Sequence, residues 1–318
     1  MVTTPIRLTR WASGLRWWGW LLIGALPVIA AASASWWLTE PLTDHGAPGV
    51  AQVSSAPPVE VPPEVKALTA AAVEDLAWPE ARLDGRRAKT LLLDTLVTAA
   101  GRLNRVESYT ATFRKQERLN GKLGPEQMLS MKVRQKPFAV YFKFLAPQEG
   151  KEVVYAEGHH DNKLIAHAGS GLARFLVPRL AVAPDHPLAL ADSRHPITEA
   201  GLANLTARLI HFRKADLDDP EAKTVLDRTT DAKGRSRLRS VHTHPNPHPD
   251  RPFARIEVLY DPVTFLPVDI RNFDWPGSGE HDALPLAERY NYDDLNLAAS
   301  LTALDFDPAN PAYAFHRY

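Results

Sequence analysis

The chain has 318 residues, with 37 basic and 37 acidic side chains, 45% hydrophobic residues and no cysteine. This balanced charge provides no positive field, so we expect no nucleic-acid partner. The lack of cysteine excludes disulfides and lipid attachment at a cysteine, which means that stability must come from a hydrophobic core.

An uncharged apolar run lies near the N-terminus. Residues 17–38 follow three arginines and precede Glu40 and Asp44. As a helix, the run would span about 33 Å, enough for the hydrocarbon core of a bilayer. The charge bias predicts a single-pass anchor with its N-terminus inside and the rest of the chain on the periplasmic side of the inner membrane. The alternative is a cleaved signal peptide and a soluble periplasmic protein, because small residues at 30–34 fit a cleavage site.

Composition divides the chain into three segments. We assign residues 1–38 to the N-terminal signal-anchor or signal peptide and residues 39–85 to a linker rich in Pro and Ala. Such a linker is semi-extended and forms no core of its own. Residues 86–318 are long enough for one domain with a sizeable core.

Two amphipathic helices are predicted from apolar residues at helical spacing. The first spans residues 86–107. The second begins near Thr198 and presents Leu202, Leu205 and Leu209 on one face. Each helix therefore has an apolar stripe that must pack against another element.

Alternation of apolar and polar residues predicts five strands within residues 108–167 and about five more within 224–297. Between the two groups lies an irregular, apolar segment, 169–196, which we interpret as a flap over the sheet or a membrane-facing edge. This order of elements predicts an antiparallel α+β domain. A single sheet of so many twisted strands curls, so we expect an unclosed half-barrel with two helices on its concave side. The alternative is a two-sheet β-sandwich.

One strand face is very apolar. Phe138, Val140, Phe142 and Phe144 alternate along one strand and share a face. Each phenylalanine buries about 150–250 Å², so a helix, a second sheet or a ligand must cover this face. We predict that the ligand-binding residues lie on this face, on the flanking strands and on the flap: Phe113, Met131, Phe138, Val140, Phe142, Phe144, Phe175 and Leu176.

Several segments in order carry a family resemblance: 109–118, 132–143, 150–155, 193–201 and 305–315. Through them, residues 91–315 resemble an exported bacterial domain-of-unknown-function family (number 1571). More distantly, the N-terminal helix, the consecutive hairpins and the Lys136-Pro137-Phe138 strand entry are similar to the periplasmic lipoprotein carriers of the LolA and LolB type. This resemblance implies a half-open, LolA-like barrel with a lipophilic cavity. The long segment before the second helix and the absence of a lipidated cysteine depart from that pattern, so lipoprotein transport itself is not carried over.

The sequence contains no zinc-protease motif, phosphate loop, dinucleotide fingerprint or cysteine nucleophile, so we expect neither an enzyme nor a cofactor. Alternate strand positions place His242 and His244 on one face, and His248 follows, which is compatible with zinc. The neighbouring prolines favour a solvated hairpin loop instead. The sequence therefore predicts no metal site.

Taken together, these patterns predict an envelope module, anchored or exported, that binds a lipid or other lipophilic ligand in an apolar half-barrel. The alternative is a non-enzymatic protein-interaction or sensory domain of the cell envelope, in which helices fill the cavity and a surface meets an envelope protein. An unfilled apolar volume of a few hundred Å³ distinguishes the first from the second.

Overall fold

The computed structural model describes residues 78–169, 179–248, 251–276 and 283–315. The predicted signal-anchor or signal peptide, most of the predicted linker, and Phe175 and Leu176 lie outside the described residues. Within the described ranges, no helix is both long and apolar enough to cross a bilayer.

Helices and strands occupy most of the described chain. The helices are α1 (Gly85–Leu103), α2 (Pro187–Leu190) and α3 (Leu202–Ala215). The strands are β1 (Leu83–Asp84), β2 (Ser108–Leu119), β3 (Lys122–Leu123), β4 (Gln127–Arg134), β5 (Ala139–Ala146), β6 (Glu152–Ala156), β7 (Leu164–His167), β8 (Leu180–Val182), β9 (Lys223–Thr230), β10 (Ser236–Thr243), β11 (Arg255–Tyr260), β12 (Pro267–Phe273) and β13 (Leu286–Asn296).

The strands of the described chain join one 13-stranded antiparallel sheet. Its order is β1-β9-β10-β11-β12-β13-β2-β4-β5-β6-β7-β8, with β3 paired to β2. Near the middle, β13 pairs with β2, where Tyr292 lies opposite Phe113. Strands β1 and β8 form the two edges of this path, so the sheet is unclosed. The predicted curled α+β half-barrel is confirmed, and a two-sheet sandwich is not formed.

Helix α1 lies along the concave face and contacts both halves of the sheet. Leu92 and Leu96 pack in a cluster with residues of β9–β12, whereas Ala99 and Leu103 pack in a cluster with residues of β2, β4 and β5. Arg102 in the last turn complements the helix dipole. The helical spacing seen in the sequence thus corresponds to one continuous buried stripe.

Helix α3 begins at Leu202 and not near Thr198 as predicted. Gly201 has φ 98° and ψ 160°, a conformation that side-chain-bearing residues rarely adopt and that interrupts a helix. Residues Ile197–Glu199 form a separate 3₁₀ turn. The amide of Asn204 ties this turn to α3 by donating to the carbonyls of Thr198 and Ala200.

The segment predicted as an irregular flap contains regular structure. Strand β8 pairs with β7, and α2 follows, with the His186 ring accepting a hydrogen bond from the Leu188 amide. A three-residue strand is too short to show a period-2 pattern, which is why the sequence did not indicate it. Residues 170–178 of this segment lie outside the described chain.

The C-terminal segment covers the opposite face of β5–β7. Phe306, Tyr313 and Phe315 form a third cluster with residues of these strands, and the rings of Tyr313 and Tyr141 stack with centroids 4.0 Å apart. Lys132 Nζ lies 2.7 Å from Asp305 Oδ1 and fixes the segment at its turn. The sheet is therefore covered on both faces in this half.

Candidate functional site

The predicted ligand-binding residues of the described chain come together on the concave face. Phe113, Met131, Val140 and Phe144 are buried in one hydrophobic cluster, against which Phe138 and Phe142 pack while half-buried. Ala99 and Leu103 of α1 and Leu202 of α3 belong to the same cluster. The helices thus cover part of the predicted face, and the role of these residues in ligand binding stays a prediction.

A cavity of about 200 Å³ lies beside this cluster, between α3 and β11–β13. Its apolar lining consists of Leu205, Leu209, Phe212, Phe253, Ile256 and Ile270. Its polar lining consists of Arg208, Arg213, Asp216, His244, His248, Arg251, Asn272, Glu288 and Tyr290. The sequence indicated the apolar face of α3, but it did not show that this face lines a cavity.

Three stacked rings connect the predicted face to the cavity. The centroids of Phe142 and Phe113 lie 5.9 Å apart, and those of Phe113 and Tyr290 lie 6.0 Å apart. Tyr290 lines the cavity. These three residues, which we call the aromatic row, form a chain of ring contacts from β5 to the cavity.

Glu288 is the buried acceptor of a polar network beside the cavity. Its Oε2 lies 2.9 Å from His195 Nε2 and 3.1 Å from Arg194 Nε. Its Oε1 accepts a 2.7 Å hydrogen bond from the side-chain amide of Asn272. Burial favours the neutral acid, but the hydrogen bond and charge of His195 and the charge of Arg194 outweigh it and lower the pKa of Glu288 to about 2. Glu288 is therefore a carboxylate at neutral pH.

His195 carries the matching charge. Burial disfavours its imidazolium, but hydrogen bonds to Glu199 and Glu288 outweigh burial and raise the pKa of His195 to about 9. His195 and Glu199 both lie in the segment that precedes α3, so the hydrogen bond from His195 joins this segment to Glu288 of β13. The sequence offered no signal for this pair, because His195 and Glu288 lie on elements far apart in the chain.

The His195 pair predicts a specific pH dependence of stability. Because the pKa of His195 rises from 6.5 to about 9 in the fold, protonated His195 stabilises the folded state. This contribution is complete below pH 6.5 and is lost as the pH rises through 9. With a side chain 24% exposed, His195 should contribute about 2 kcal/mol. We expect the difference in melting temperature between the wild type and His195→Gln to be largest near pH 6 and to disappear by about pH 10. His211→Gln, the same change at an exposed position of α3, is the control, and a difference for His195→Gln that stays constant with pH would contradict the prediction.

A second polar cluster lies at the end of α3. Asp216 directly follows the helix. Its Oδ2 lies 3.0 Å from His242 Nε2, and its Oδ1 lies 3.0 Å from His244 Nε2. Arg213 Nη2 approaches Oδ2 at 3.2 Å. Burial favours the neutral acid, but hydrogen bonds from both histidines and the charge of Arg213 hold the pKa of Asp216 well below its usual value. Burial and the charge of Arg213 lower the pKa of His242 to about 3, so its ring is neutral at pH 7.

The predicted solvated loop is wrong for two of the three histidines. His242 is only 1% exposed and His244 only 7%, because β10 extends to Thr243 and carries them beneath the end of α3. Their ring nitrogens find partners in Asp216, Thr224 and the carbonyl of Phe253. His248 is exposed, as predicted. Alternation along β10 indicated that His242 and His244 share a face, but not that the face is buried.

Several solved structures are similar to this chain at low sequence identity. The lipoprotein LppX of Mycobacterium tuberculosis is 12% identical, covers 67% of this chain and 99% of its own, and has a TM-score of 0.39. A putative outer membrane lipoprotein-sorting protein domain from Vibrio parahaemolyticus is 10% identical, with coverages of 68% and 95% and a TM-score of 0.32. The LolA superfamily protein NE2245 from Nitrosomonas europaea is 10% identical, with coverages of 69% and 97% and a TM-score of 0.25.

Comparison with curated proteins gives no match. The family described as "Protein of unknown function (DUF1571)" matches residues 106–315, about two thirds of the chain. This range contains the aromatic row, the cavity lining and both polar clusters, and it confirms the resemblance inferred from the sequence. The chain therefore belongs to the DUF1571 family.

Proposed function

We propose that this protein is a non-enzymatic module of the cell envelope that binds a lipid or other lipophilic ligand on the concave face of its half-barrel. The observation that carries the proposal is the cavity beneath α3 and its continuity with the aromatic row. The arginines and apolar run near the N-terminus support export of the domain, either on a signal-anchor or after signal cleavage.

The cavity suits an amphipathic ligand better than a wholly apolar one. Apolar side chains such as Leu209, Ile256 and Ile270 would remove an alkyl chain from water, a gain of about 25 cal/mol per Å². Arg208 and Arg251 lie in the same lining and provide charged groups for a polar end. At about 200 Å³, the cavity is smaller than the roughly 300–1,000 Å³ of most ligand pockets. It therefore holds a small ligand or one end of a longer one that continues along the aromatic row.

The packing of α1 and α3 favours the alternative, a protein-interaction or sensory domain. Leu103 and Leu202 fill space over the predicted ligand-binding face, as they would if the helices completed the core and the outer surface met an envelope protein. The two functions differ in one measurable property, which is saturable binding of an amphiphile by the folded protein.

The experiment is a titration of the full-length protein with a fluorescent fatty acid. We expect saturable binding by the wild type and at least tenfold weaker binding by Leu205→Trp, because the larger side chain would occupy the cavity. Leu205 is only half-buried, so this change should leave the fold intact. Phe142→Ala should weaken binding several-fold if the ligand extends along the aromatic row.

Leu304→Trp is the matched control, since Leu304 is 50% exposed on the C-terminal segment and lies outside the cavity. Circular dichroism should show the same fold for all variants. Native mass spectrometry should detect any ligand retained from the cell. A folded wild type that shows no saturable binding and carries no extractable lipid would reject the proposal in favour of the interaction domain.

A further inference from the structure

We propose that Asp216, His242 and His244 form a binding site for a divalent transition-metal ion. The three residues converge within the fold: their ligand atoms all lie within 4.8 Å of one another, and all three residues are buried. Imidazole and carboxylate are the donor set that proteins use for zinc and for non-haem iron. The inference is independent of the lipophilic ligand, because none of the three is needed for the apolar lining.

The spacing of the donor atoms matches that around a metal. Asp216 Oδ2 lies 3.0 Å from His242 Nε2, its Oδ1 lies 3.0 Å from His244 Nε2, and the two Nε2 atoms lie 3.3 Å apart. Ligands bonded at 2.0–2.1 Å are about 3.3 Å apart in a tetrahedral site. They are about 3.0 Å apart on one face of an octahedral site. A metal ion would therefore require little movement of these side chains.

The other nitrogen of each ring is held by a group outside the cluster. His244 Nδ1 lies 3.1 Å from the carbonyl oxygen of Phe253, and His242 Nδ1 lies 2.7 Å from Thr224 Oγ1. A carbonyl only accepts, so Nδ1 of His244 carries a hydrogen, and Nε2 is the nitrogen that would bind an ion. Histidines that bind metals are oriented in this way, with one nitrogen on the ion and the other on a fixed acceptor.

The contact between His244 and Asp216 shows where the ion would bind. His244 Nδ1 already meets the carbonyl oxygen of Phe253, and its Nε2 lies 3.0 Å from Asp216 Oδ1. A metal ion bound to Nε2 and Oδ1 would take the place of the hydrogen bond that joins these two atoms.

Two arginines limit the affinity but do not block the site. Arg213 Nη2 approaches Oδ2 of Asp216 at 3.2 Å, whereas Arg251 Nε lies 3.8 Å from Oδ1. A carboxylate offers about four lone-pair directions, two on each oxygen, so Oδ2 can pair with Arg213 and still face the ion together with Oδ1. Asp216 and His244 also line the cavity, which leaves an open coordination position on that side. We therefore expect weaker binding than in a closed structural zinc site.

The test is metal binding by the full-length protein after removal of metal with a chelator. We expect the wild type to bind one equivalent of Co²⁺, with visible absorption bands whose intensity separates tetrahedral from octahedral coordination, and to gain thermal stability with Zn²⁺. His242→Gln and His244→Gln should each weaken Co²⁺ binding at least 100-fold. Thr224→Val, which removes only the outer partner of His242, should weaken it about 10- to 100-fold.

His248→Gln is the matched control, because His248 is exposed and lines the same cavity without belonging to the cluster. It should bind Co²⁺ like the wild type. The inference fails if the folded wild type binds no Co²⁺ at millimolar concentration, or if His248→Gln loses as much affinity as His244→Gln. The first result would assign the cluster to a purely structural ion network around Asp216, and the second would place the bound ion at His248 instead of in the cluster. Fatty-acid binding is measured separately, so the outcome does not depend on the proposed function.

Discussion

Replacing Glu288 by glutamine is expected to lower the free energy of unfolding by about 3–4 kcal/mol. Glu288 is 1% exposed and faces His195, Arg194 and the Asn272 amide. The neutral amide would remove the buried negative charge that faces two half-buried cations, which is the costly way to break a buried pair. Urea unfolding followed by circular dichroism measures the loss.

Glu126→Gln is the control for the same chemical change at the surface. Glu126 lies 3.3 Å from Arg289 and 3.5 Å from Arg114, but its side chain is 38% exposed. Solvent screens such pairs, so the change should cost less than about 1 kcal/mol. Equal losses for the two variants would show that the Glu288 network contributes no more than an ordinary surface pair.

The second large effect is expected at Gly201, where alanine should cost about 3 kcal/mol. The φ of 98° is disfavoured for any residue with a Cβ, a strain of about 1–3 kcal/mol. A Cβ here would also lie 2.9 Å from the hydroxyl oxygen of Tyr109, which accepts a 2.8 Å hydrogen bond from the Leu202 amide. The substitution therefore has two effects: it strains the backbone, and it disturbs the hydrogen bond at the start of α3.

Two further variants separate these contributions. Gly234→Ala, at φ 76° with no atom within 4 Å of the added Cβ, should cost only about 1 kcal/mol. Combining Gly201→Ala with Tyr109→Phe should cost less than the sum of the single changes, because phenylalanine removes the atom that the Cβ would approach. Strict additivity in thermal or urea unfolding would contradict the close contact.

Much of the fold follows from local sequence patterns. Leu129, Met131 and Val133 alternate along β4, and all three are buried in one cluster, as a strand with one apolar face requires. The helical spacing around Leu92 and Leu96 likewise identified the stripe that α1 buries. These patterns are reliable because each depends on neighbours within the same element.

The features that the sequence did not indicate depend on contacts between distant elements. His242 can be buried because Asp216 and Thr224 provide partners for its two ring nitrogens. The prolines that follow His242 in the sequence indicate neither partner. The cavity lies between α3 and β11–β13, and the periodicity of apolar residues in the sequence does not indicate such a gap. The sequence predicted the aromatic face of β5 together with Phe113, whereas its extension from Phe113 to Tyr290 required the pairing of β13 with β2.

That β13–β2 pair has a consequence for the order in which the fold can assemble. Strand β2 is the first long strand of the sheet and β13 the last, so their hydrogen bonds close the longest loop between paired strands of the described chain. Closing a long loop costs entropy before its contacts form, which makes such pairing slow. Until then, one side of β2 stays an open template for strands of other chains. Partially synthesised protein is thus prone to aggregation, and a chaperone that shields Ser108–Leu119 would protect it.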